Sequence, residues 1–366
     1  MMNRKKKIVI IGGGLAGLAL AMKFCERNGE VTVVSYQSLK RSHSVCAQGG
    51  INAAIDAKNE GDSPEKHFYD TIKGGDFLAH QPLVRDMCYQ APAIIHLMDR
   101  MGVAFNRTGE GHLDFRRFGG TLYNRTAFAG ATTGQQLVYA LDEQVRRNIH
   151  DGNATALEWH EYLGAVLDSD GICRGAVIHD LKTDEIYTLP ADAVVLATGG
   201  PGQVYGRSTN SVVNTGAAAT TAYLQGAKYA NGEFIQIHPT AIPGQDKLRL
   251  MSESARGEGG RVWVPRKVDD KRDPKKIPEN ERFYFLEEKY PLFKNLVPRD
   301  VASREIYDIV YNQNMGVDGD PMVYLDLTHK SREFLDNRLG GIMDIYTKFT
   351  GVDPRDHPMK IFPAVH

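Results

Sequence analysis

The sequence has little cysteine, no excess of charge of either sign and no long apolar run. Its four cysteines, Cys25, Cys46, Cys88 and Cys173, lack Cys-x-x-Cys spacing, which argues against a disulfide framework, a metal site or an iron–sulfur cluster bound by this chain and favours a reducing compartment. Forty-four Lys and Arg balance 45 Asp and Glu, so we expect no nucleic acid partner. Beyond the amino terminus, no uncharged stretch approaches the ~20 residues of a transmembrane helix.

The amino terminus allows two interpretations. A basic start followed by an uncharged run at residues 8–22 is similar to a secretory signal. Three consecutive glycines at residues 12–14 interrupt that run, however, and a second strand-like run follows at residues 31–34. We therefore expect these residues to belong to a folded unit, and any membrane association to come through a partner.

Glycine is abundant, with 37 residues, and its first cluster follows a β-branched run at residues 7–11. Gly12, Gly14 and Gly17 form Gly-x-Gly-x-x-Gly, in which the first glycine turns the chain, the second admits a pyrophosphate and the third packs helix on strand. The order strand, turn, helix, strand predicts a dinucleotide site. Ser35 stands where an acid usually holds the ribose, so this motif does not distinguish NAD from FAD.

A second cofactor turn is predicted after the apolar run at residues 193–197. Thr198, Gly199 and Gly200 end a strand of the kind that returns to the sheet of the first motif. A helix-rich stretch at residues 64–101 and strand-like segments at 157–167 and 173–179 lie between the two motifs. The pattern predicts an α/β, Rossmann-like, doubly wound fold.

The segment at residues 41–51 carries the most specific motif. It reads Arg-Ser-His-Ser-Val-Cys-Ala-Gln-Gly-Gly-Ile and includes His43, Gln48, Gly49 and Gly50. The segment resembles the flavoprotein subunit of succinate dehydrogenase and quinol:fumarate reductase, a two-dinucleotide-binding-domain flavoprotein. The resemblance implies FAD linked covalently to His43, and a neutral imidazole is a competent nucleophile for such a linkage. The glycine pair would let the backbone lie against the flavin.

The resemblance continues along the chain and implies roles for further residues. Ser208, Thr209 and Asn210 match a segment near the flavin, although Ala217 stands where many members carry Asp. The implied substrate-binding residues are Phe118, His238, Ser252 and His366. Arg299 falls on the acid–base arginine, and Glu253 and Arg256 on its proton relay. Because an arginine pKa lies above 12, Arg299 needs such a fixed neighbour; Glu253 and Arg256, three residues apart, share a helical face.

These placements predict an FAD-binding domain at residues 1–235, an inserted α+β capping domain at 236–353, and a return to the FAD-binding domain from 354. Family members continue beyond the position of His366 through a second substrate-clamping arginine, a flavin-closing segment and a helical C-terminal domain. We therefore expect a fragment or truncated product, missing the C-terminal helical domain, with weakened or absent turnover on its own.

The function implied by the resemblance is interconversion of succinate and fumarate, in a direction that the motifs leave open. Electrons would pass to an iron–sulfur subunit and to quinone at a cytochrome b-type membrane anchor, which places the chain peripherally on the cytoplasmic face of the inner membrane. Two alternatives stay open: a soluble flavoenzyme similar to L-aspartate oxidase, with noncovalent FAD, and an inactive truncated FAD-binding module. A nicotinamide dehydrogenase is a more distant one, because no second Gly-x-Gly-x-x-Gly unit is present.

Overall fold

Strands and helices alternate from the amino terminus, as the sequence predicts. The computed structural model describes residues 4–244 and 248–366; residues 1–3 of the predicted FAD-binding domain and 245–247 of the predicted capping domain lie outside the described residues. The helices are α1 (Leu15–Cys25), α2 (Pro64–Gly74), α3 (Gln81–Arg100), α4 (Thr133–His150), α5 (Ala217–Leu224), α6 (Ser254–Gly257), α7 (Phe285–Lys289), α8 (Arg299–Tyr307) and α9 (Arg332–Thr350). The strands are β1 (Lys7–Ile11), β2 (Glu30–Ser35), β3 (Ile51–Asn52), β4 (Phe115–Arg116), β5 (Thr126–Ala127), β6 (Ala154–Glu158), β7 (His160–Leu167), β8 (Cys173–Asp180), β9 (Ile186–Pro190), β10 (Ala193–Leu196), β11 (Ile237–Ile242), β12 (Arg249–Leu250), β13 (Arg261–Pro265), β14 (Arg282–Phe283), β15 (Val323–Asp326) and β16 (Met359–Val365).

A four-stranded parallel sheet, in the order β10-β1-β2-β6, organises the first part of the chain. In its centre, Ile10 pairs with Val33 of β2 and with Val195 of β10. This pairing confirms the predicted α/β fold and the return of the second cofactor strand to the first sheet. Strand β1 and helix α1 lie in the core, where Ile10 and Leu18 are fully buried. The segment that is similar to a secretory signal is thus an integral part of the sheet.

Two smaller antiparallel sheets, β3-β5-β4 and β7-β8-β9, are formed by segments of the chain that lie between strands of this parallel sheet. Helices α2 and α3 occupy the stretch predicted to be helical. No helix within residues 4–244 and 248–366 is both long and apolar enough to cross a membrane.

A six-stranded sheet, in the order β12-β11-β16-β15-β13-β14, organises the second part of the chain. Its paired neighbours are antiparallel. The sheet packs with α8 and α9 around a separate core that includes Trp263, Leu325, Leu339 and Met359. The second part of the chain therefore has its own hydrophobic core.

The position of β16 corrects one predicted boundary. We expected the chain to return to the FAD-binding domain from residue 354, but β16 lies inside the second sheet, where Ala364 pairs with His238 of β11 and Ile361 with Val323 of β15. The reason is apolar packing, since Ile361 is fully buried in the second core. Contact with the first part comes at the end of the strand, where Val365 forms a parallel bridge with Ser208.

Candidate active site

A cleft of about 1460 Å³ lies at the carboxyl ends of the parallel strands β1, β2 and β10. This is the edge at which open α/β sheets bind ligands. The cofactor residues expected from the sequence line it, apart from Gly17, Gly49 and Gly50: Gly12, Gly14, Ser35, His43, Gln48, Thr198, Gly199 and Gly200. Ala217, which replaces the family's Asp, also lines the cleft, at the first residue of α5. His366 and Gln236 line it as well, so the cleft joins the nucleotide motifs to the second sheet.

The first glycine turn leaves no room for side chains. A Cβ on Gly12, where φ is 112°, would lie 2.3 Å from the carbonyl oxygen of Ala197, and one on Gly17 would lie 2.0 Å from that of Gly12. Helix α1 follows at once, with Gly14 as its N-cap. The backbone can therefore approach a diphosphate closely at a helix amino terminus, as the motif predicts.

His43 lies in a short 3-10 turn, His43–Cys46. Residues far away in the sequence hold this region of the chain in place. Glu158, at the end of β6, accepts hydrogen bonds from Ser38 Oγ (3.1 Å) and the Leu39 amide (3.0 Å) in the turn before it. The Asn210 side-chain nitrogen lies 3.3 Å from His43 Nε2. The sequence analysis gave no role to Glu158, because its partners are about 120 residues away in the chain.

Arg116 binds the backbone carbonyls at the start of the Gln48–Gly49–Gly50 segment. Its guanidinium donates to the carbonyl oxygens of Gly49 (3.1 Å) and Gln48 (3.3 Å) and is only 2% exposed. Burial lowers the pKa of Arg116 to about 10. Gly49 packs against Phe118, whose Cζ would lie 2.2 Å from a Cβ at that glycine. The carbonyls of this loop are thus fixed by a buried cation that the sequence analysis did not single out.

Several features of the cleft fit a dinucleotide such as FAD. Ser42 Oγ and Gln48 Oε1 are buried, and neither has a hydrogen-bond partner among residues 4–244 and 248–366. Buried polar atoms of this kind are rarely left unsatisfied. Together with the glycine turn, they supply a backbone cradle for phosphates and side-chain oxygens for a polar ligand.

The three residues expected to act as acid, base and relay form one buried network. Arg256 Nη2 donates to Glu253 Oε1 (2.6 Å), and Arg299 Nε donates to Glu253 Oε2. Burial raises the pKa of Glu253, but Arg256 and Arg299 outweigh it and hold that pKa below its ordinary value. The Glu253 carboxylate therefore stays ionised between two guanidinium groups.

Arg299 is held at the start of α8. Its Nη1 donates to Gln236 Oε1 (2.6 Å), and its guanidinium carbon lies 5.9 Å from the centre of the Phe118 ring. Arg256 Nη1 donates to the carbonyls of Asn295 (2.9 Å) and Val297 (3.2 Å), just before α8. The same arginine thus orients Glu253 and the segment that carries Arg299. The sequence analysis missed Gln236 as a partner of Arg299, although it lies in the motif around His238.

His238 and His366 meet because β11 pairs with β16. Their ring centres are 5.2 Å apart, and the His366 amide donates to the Gln236 carbonyl (2.9 Å). Burial, Arg299 and neighbouring cationic groups lower the pKa of His238 well below its ordinary value. Burial, Arg299 and His43 lower the pKa of His366 to about 4. Both imidazoles are therefore neutral at physiological pH.

The tautomer of His238 follows from its hydrogen bonds. The Thr240 amide donates to His238 Nδ1 (3.2 Å), while the Thr240 hydroxyl donates to the Met251 carbonyl (2.7 Å). Because Nδ1 accepts, the proton of the neutral ring lies on Nε2, which is buried without a hydrogen-bond partner in the described part of the chain. It is 3.7 Å from the Glu253 carboxylate. This N–H is a donor available to a ligand.

Ser252 is placed less favourably for ligand binding. It is fully buried, and its hydroxyl lies 2.6 Å from that of Ser254. Like Phe118, His238 and Arg299, it does not line the cleft. A role for Ser252 in substrate binding stays a prediction.

A parallel sheet with a glycine turn at a helix amino terminus, next to a second sheet that brings two histidines beside a pair of arginines, is typical of a dinucleotide-binding protein. The chain belongs to the FAD binding domain family, whose model matches residues 7–366. FAD is thus its cofactor.

Named proteins that are similar to this chain belong to the family that the motifs indicate. The succinate dehydrogenase flavoprotein subunit of Bacillus subtilis is 61% identical over 362 residues, which cover 99% of this chain and 60% of that protein. The corresponding subunit of Rickettsia felis is 34% identical over 376 residues, which cover 100% of this chain and 59% of that protein. The solved quinol fumarate reductase chain of E. coli matches with a TM-score of 0.86 at 30% identity, over 100% of this chain and 61% of that chain. The predicted resemblance is confirmed, and the chain spans about 60% of the length of these relatives.

Proposed function

We propose that this chain carries the flavin and the dicarboxylate site of an enzyme that interconverts succinate and fumarate. Residues up to about 235 would bind FAD, with His43 as the covalent attachment residue. The second sheet would present His238 and His366 to the substrate, and helix α8 would present Arg299. The observation that carries this proposal is the buried network in which Glu253 joins Arg256 and Arg299 beside two neutral histidines.

The charges of this network suit a small dianion. Glu253 neutralises one of the two guanidinium groups, which leaves one net positive charge next to the His238 and His366 rings. Arg299 offers a planar guanidinium donor, and arginine recognises carboxylates with paired hydrogen bonds. The His238 Nε2–H adds a neutral donor that has no partner in the described residues. A carboxylate at this position would satisfy it.

The same network has the groups needed to move a proton. FAD, when bound, supplies the two-electron acceptor for a hydride. Arg299 would exchange the accompanying proton with the substrate carbon, and it needs a fixed neighbour because a guanidinium releases its proton reluctantly. Glu253 accepts a hydrogen bond from Arg299 and a second from Arg256, which gives a continuous relay from the site into the protein.

Electron transfer beyond the flavin would need other subunits. No group of metal-ligating side chains occurs in residues 4–244 and 248–366. We propose an iron–sulfur subunit and a cytochrome b-type membrane anchor with quinone as partners, because the relatives include a quinol fumarate reductase. Such partners would place the chain peripherally at the cytoplasmic face of the inner membrane.

Covalent flavin is the first property to test. We expect acid-precipitated wild-type protein to retain flavin absorbance in the washed pellet, and His43→Ala to release it. His150→Ala, at the exposed carboxyl end of α4, is the matched control and should behave as wild type. Flavin found only in the supernatant of the wild type would favour a noncovalent flavoenzyme similar to L-aspartate oxidase.

Dicarboxylate binding tests the second half of the proposal. We expect malonate and fumarate to bind the flavin-loaded chain, and Arg299→Gln to weaken this binding at least tenfold. Arg304→Gln, five residues further along α8 and on its exposed surface, should leave the affinity within twofold. Equal affinity in Arg299→Gln and wild type would contradict the assigned site. No binding to wild type, together with no bleaching of the flavin by succinate, would favour an inactive module.

A further inference from the structure

Thr209 contacts His366 from the first part of the chain. The Thr209 hydroxyl oxygen lies 2.7 Å from His366 Nδ1, and its side chain is almost fully buried at 5% exposure. Thr209 lies beside the bridge between Ser208 and Val365 that joins the two parts of the chain. No other hydrogen bond of the His366 ring occurs among residues 4–244 and 248–366.

The direction of this hydrogen bond follows from counting donors. The carbonyl oxygen of Val365 accepts from the Thr209 amide (2.9 Å) and from Ser208 Oγ (3.1 Å). These two donors occupy both of its lone pairs. The Thr209 hydroxyl is 3.4 Å from the same oxygen, much farther than from the His366 ring. The hydroxyl proton thus has two acceptors within reach, and the shorter 2.7 Å contact favours His366 Nδ1 over the crowded Val365 carbonyl.

We propose that Thr209 is a positioning residue that holds the neutral His366 ring in the tautomer with its proton on Nε2. Because Nδ1 accepts from Thr209, the ring can only donate at its other nitrogen. His238 has the same tautomer through a different neighbour, Thr240. The paired histidines would thus present two N–H donors and no acceptor, which suits a carboxylate and disfavours a ligand that donates hydrogen bonds.

Loss of the Thr209 hydroxyl would remove this preference. In Thr209→Val, which has nearly the same shape, the two tautomers of His366 would exchange, and part of the population would turn a lone pair toward the ligand. A hydrogen bond to a charged group contributes enough that we expect malonate affinity to fall about tenfold. Thr209→Ser keeps the hydroxyl and should keep both the tautomer and the affinity.

Nitrogen-15 NMR of protein labelled at histidine tests the assignment without any substrate. The His366 signals are assigned by their loss in His366→Gln, and the shifts of the two ring nitrogens show which one is protonated. Thr347→Val, which removes a helical hydroxyl of α9 bonded to the Met343 carbonyl, is the matched control. Malonate titration of each flavin-loaded variant is the second measurement.

A proton on Nε2 in wild type and Thr209→Ser, with its preference lost in Thr209→Val, would support the proposal. A proton on Nδ1 in wild type, or an unchanged tautomer in Thr209→Val, would overturn it. The position of the proton in wild type is measured on the wild-type protein alone, so that result stands even if a variant fails to fold. The ligand part rests on the proposed function. If malonate does not bind wild type, the dicarboxylate site is wrong, while the tautomer result still supports the positioning role of Thr209.

Discussion

Gly119→Ala should damage the acid–base network without touching any of its charged residues. A Cβ at Gly119 would lie 1.9 Å from Glu253 Oε1 and 3.1 Å from Arg256 Nη2. The Gly119 amide also donates to the Glu253 carboxylate. Glu253 is fully buried and bonded on both oxygens, so it has no free space into which to withdraw.

The size of the effect follows from this geometry. To restore an ordinary contact, the Glu253 oxygen must move by about 1.5 Å, which stretches its 2.6 Å hydrogen bond to Arg256. Breaking a buried ion pair costs roughly 3–5 kcal/mol, and overpacking alone about 1–3 kcal/mol. We therefore expect a loss of about 3 kcal/mol in the free energy of unfolding and a fall in the thermal midpoint of roughly 5 °C.

Equilibrium urea unfolding and malonate titration measure this prediction. Gly109→Ala is the matched control, because a Cβ at Gly109 meets no atom within 4 Å and should change stability by less than about 0.5 kcal/mol. Gly119→Ala should also bind malonate more weakly, since Glu253 holds Arg299. If the two alanine variants unfold at the same urea concentration and bind malonate equally well, the network does not have the packing described above.

Three further predictions concern the cofactor turn, the network and its pH dependence. Gly17→Ala should lose bound FAD, measured by flavin absorbance after desalting, whereas Gly74→Ala, which meets no atom within 4 Å, should retain it. Glu253→Gln should lower the free energy of unfolding by about 3–5 kcal/mol, because it leaves the buried Arg256 and the partly buried Arg299 without a carboxylate; a urea midpoint equal to that of wild type would contradict this. The pKa of His366 in the folded protein is about 4, below its ordinary value of 6.5. As pH drops from 6.5 to 4, His366 is protonated in the unfolded chain but not in the folded one, so the stability of the folded state falls over this range. The urea midpoint of His366→Gln should decline less over that range than the wild-type midpoint.

The sequence predicted those parts of the structure that depend on neighbours along the chain. The strand at residues 7–11 and the glycine turn after it occur as predicted, because β-branched residues and glycines restrict the backbone locally. The helical spacing of Glu253 and Arg256 predicted a shared face, and their 2.6 Å hydrogen bond confirms it. A spacing of three residues can be read directly from a single sequence, because the two side chains are neighbours on one turn of helix.

Contacts between distant segments could not be predicted in the same way. Thr209 bonds a residue 157 positions away, and Gln236 bonds Arg299 across 63 positions. Both residues lie in motifs of the sequence, but neither side chain is of a type that marks acid–base chemistry, so the motifs do not reveal these partners. The pairing of β16 with β11 and β15 could not be predicted for a related reason, since an apolar strand does not specify which edge it will join.

The central place of β16 in the second sheet has a consequence for biosynthesis. β11 and β15 leave the ribosome before their shared partner, and β11 precedes β16 by more than 100 residues. Until residues 359–365 emerge, both strands keep an unpaired edge, which is a template for aggregation. The nascent chain would therefore benefit from chaperones over this interval. Pairing of β16 would join β11 to β15 and set His366 beside His238 in a single step.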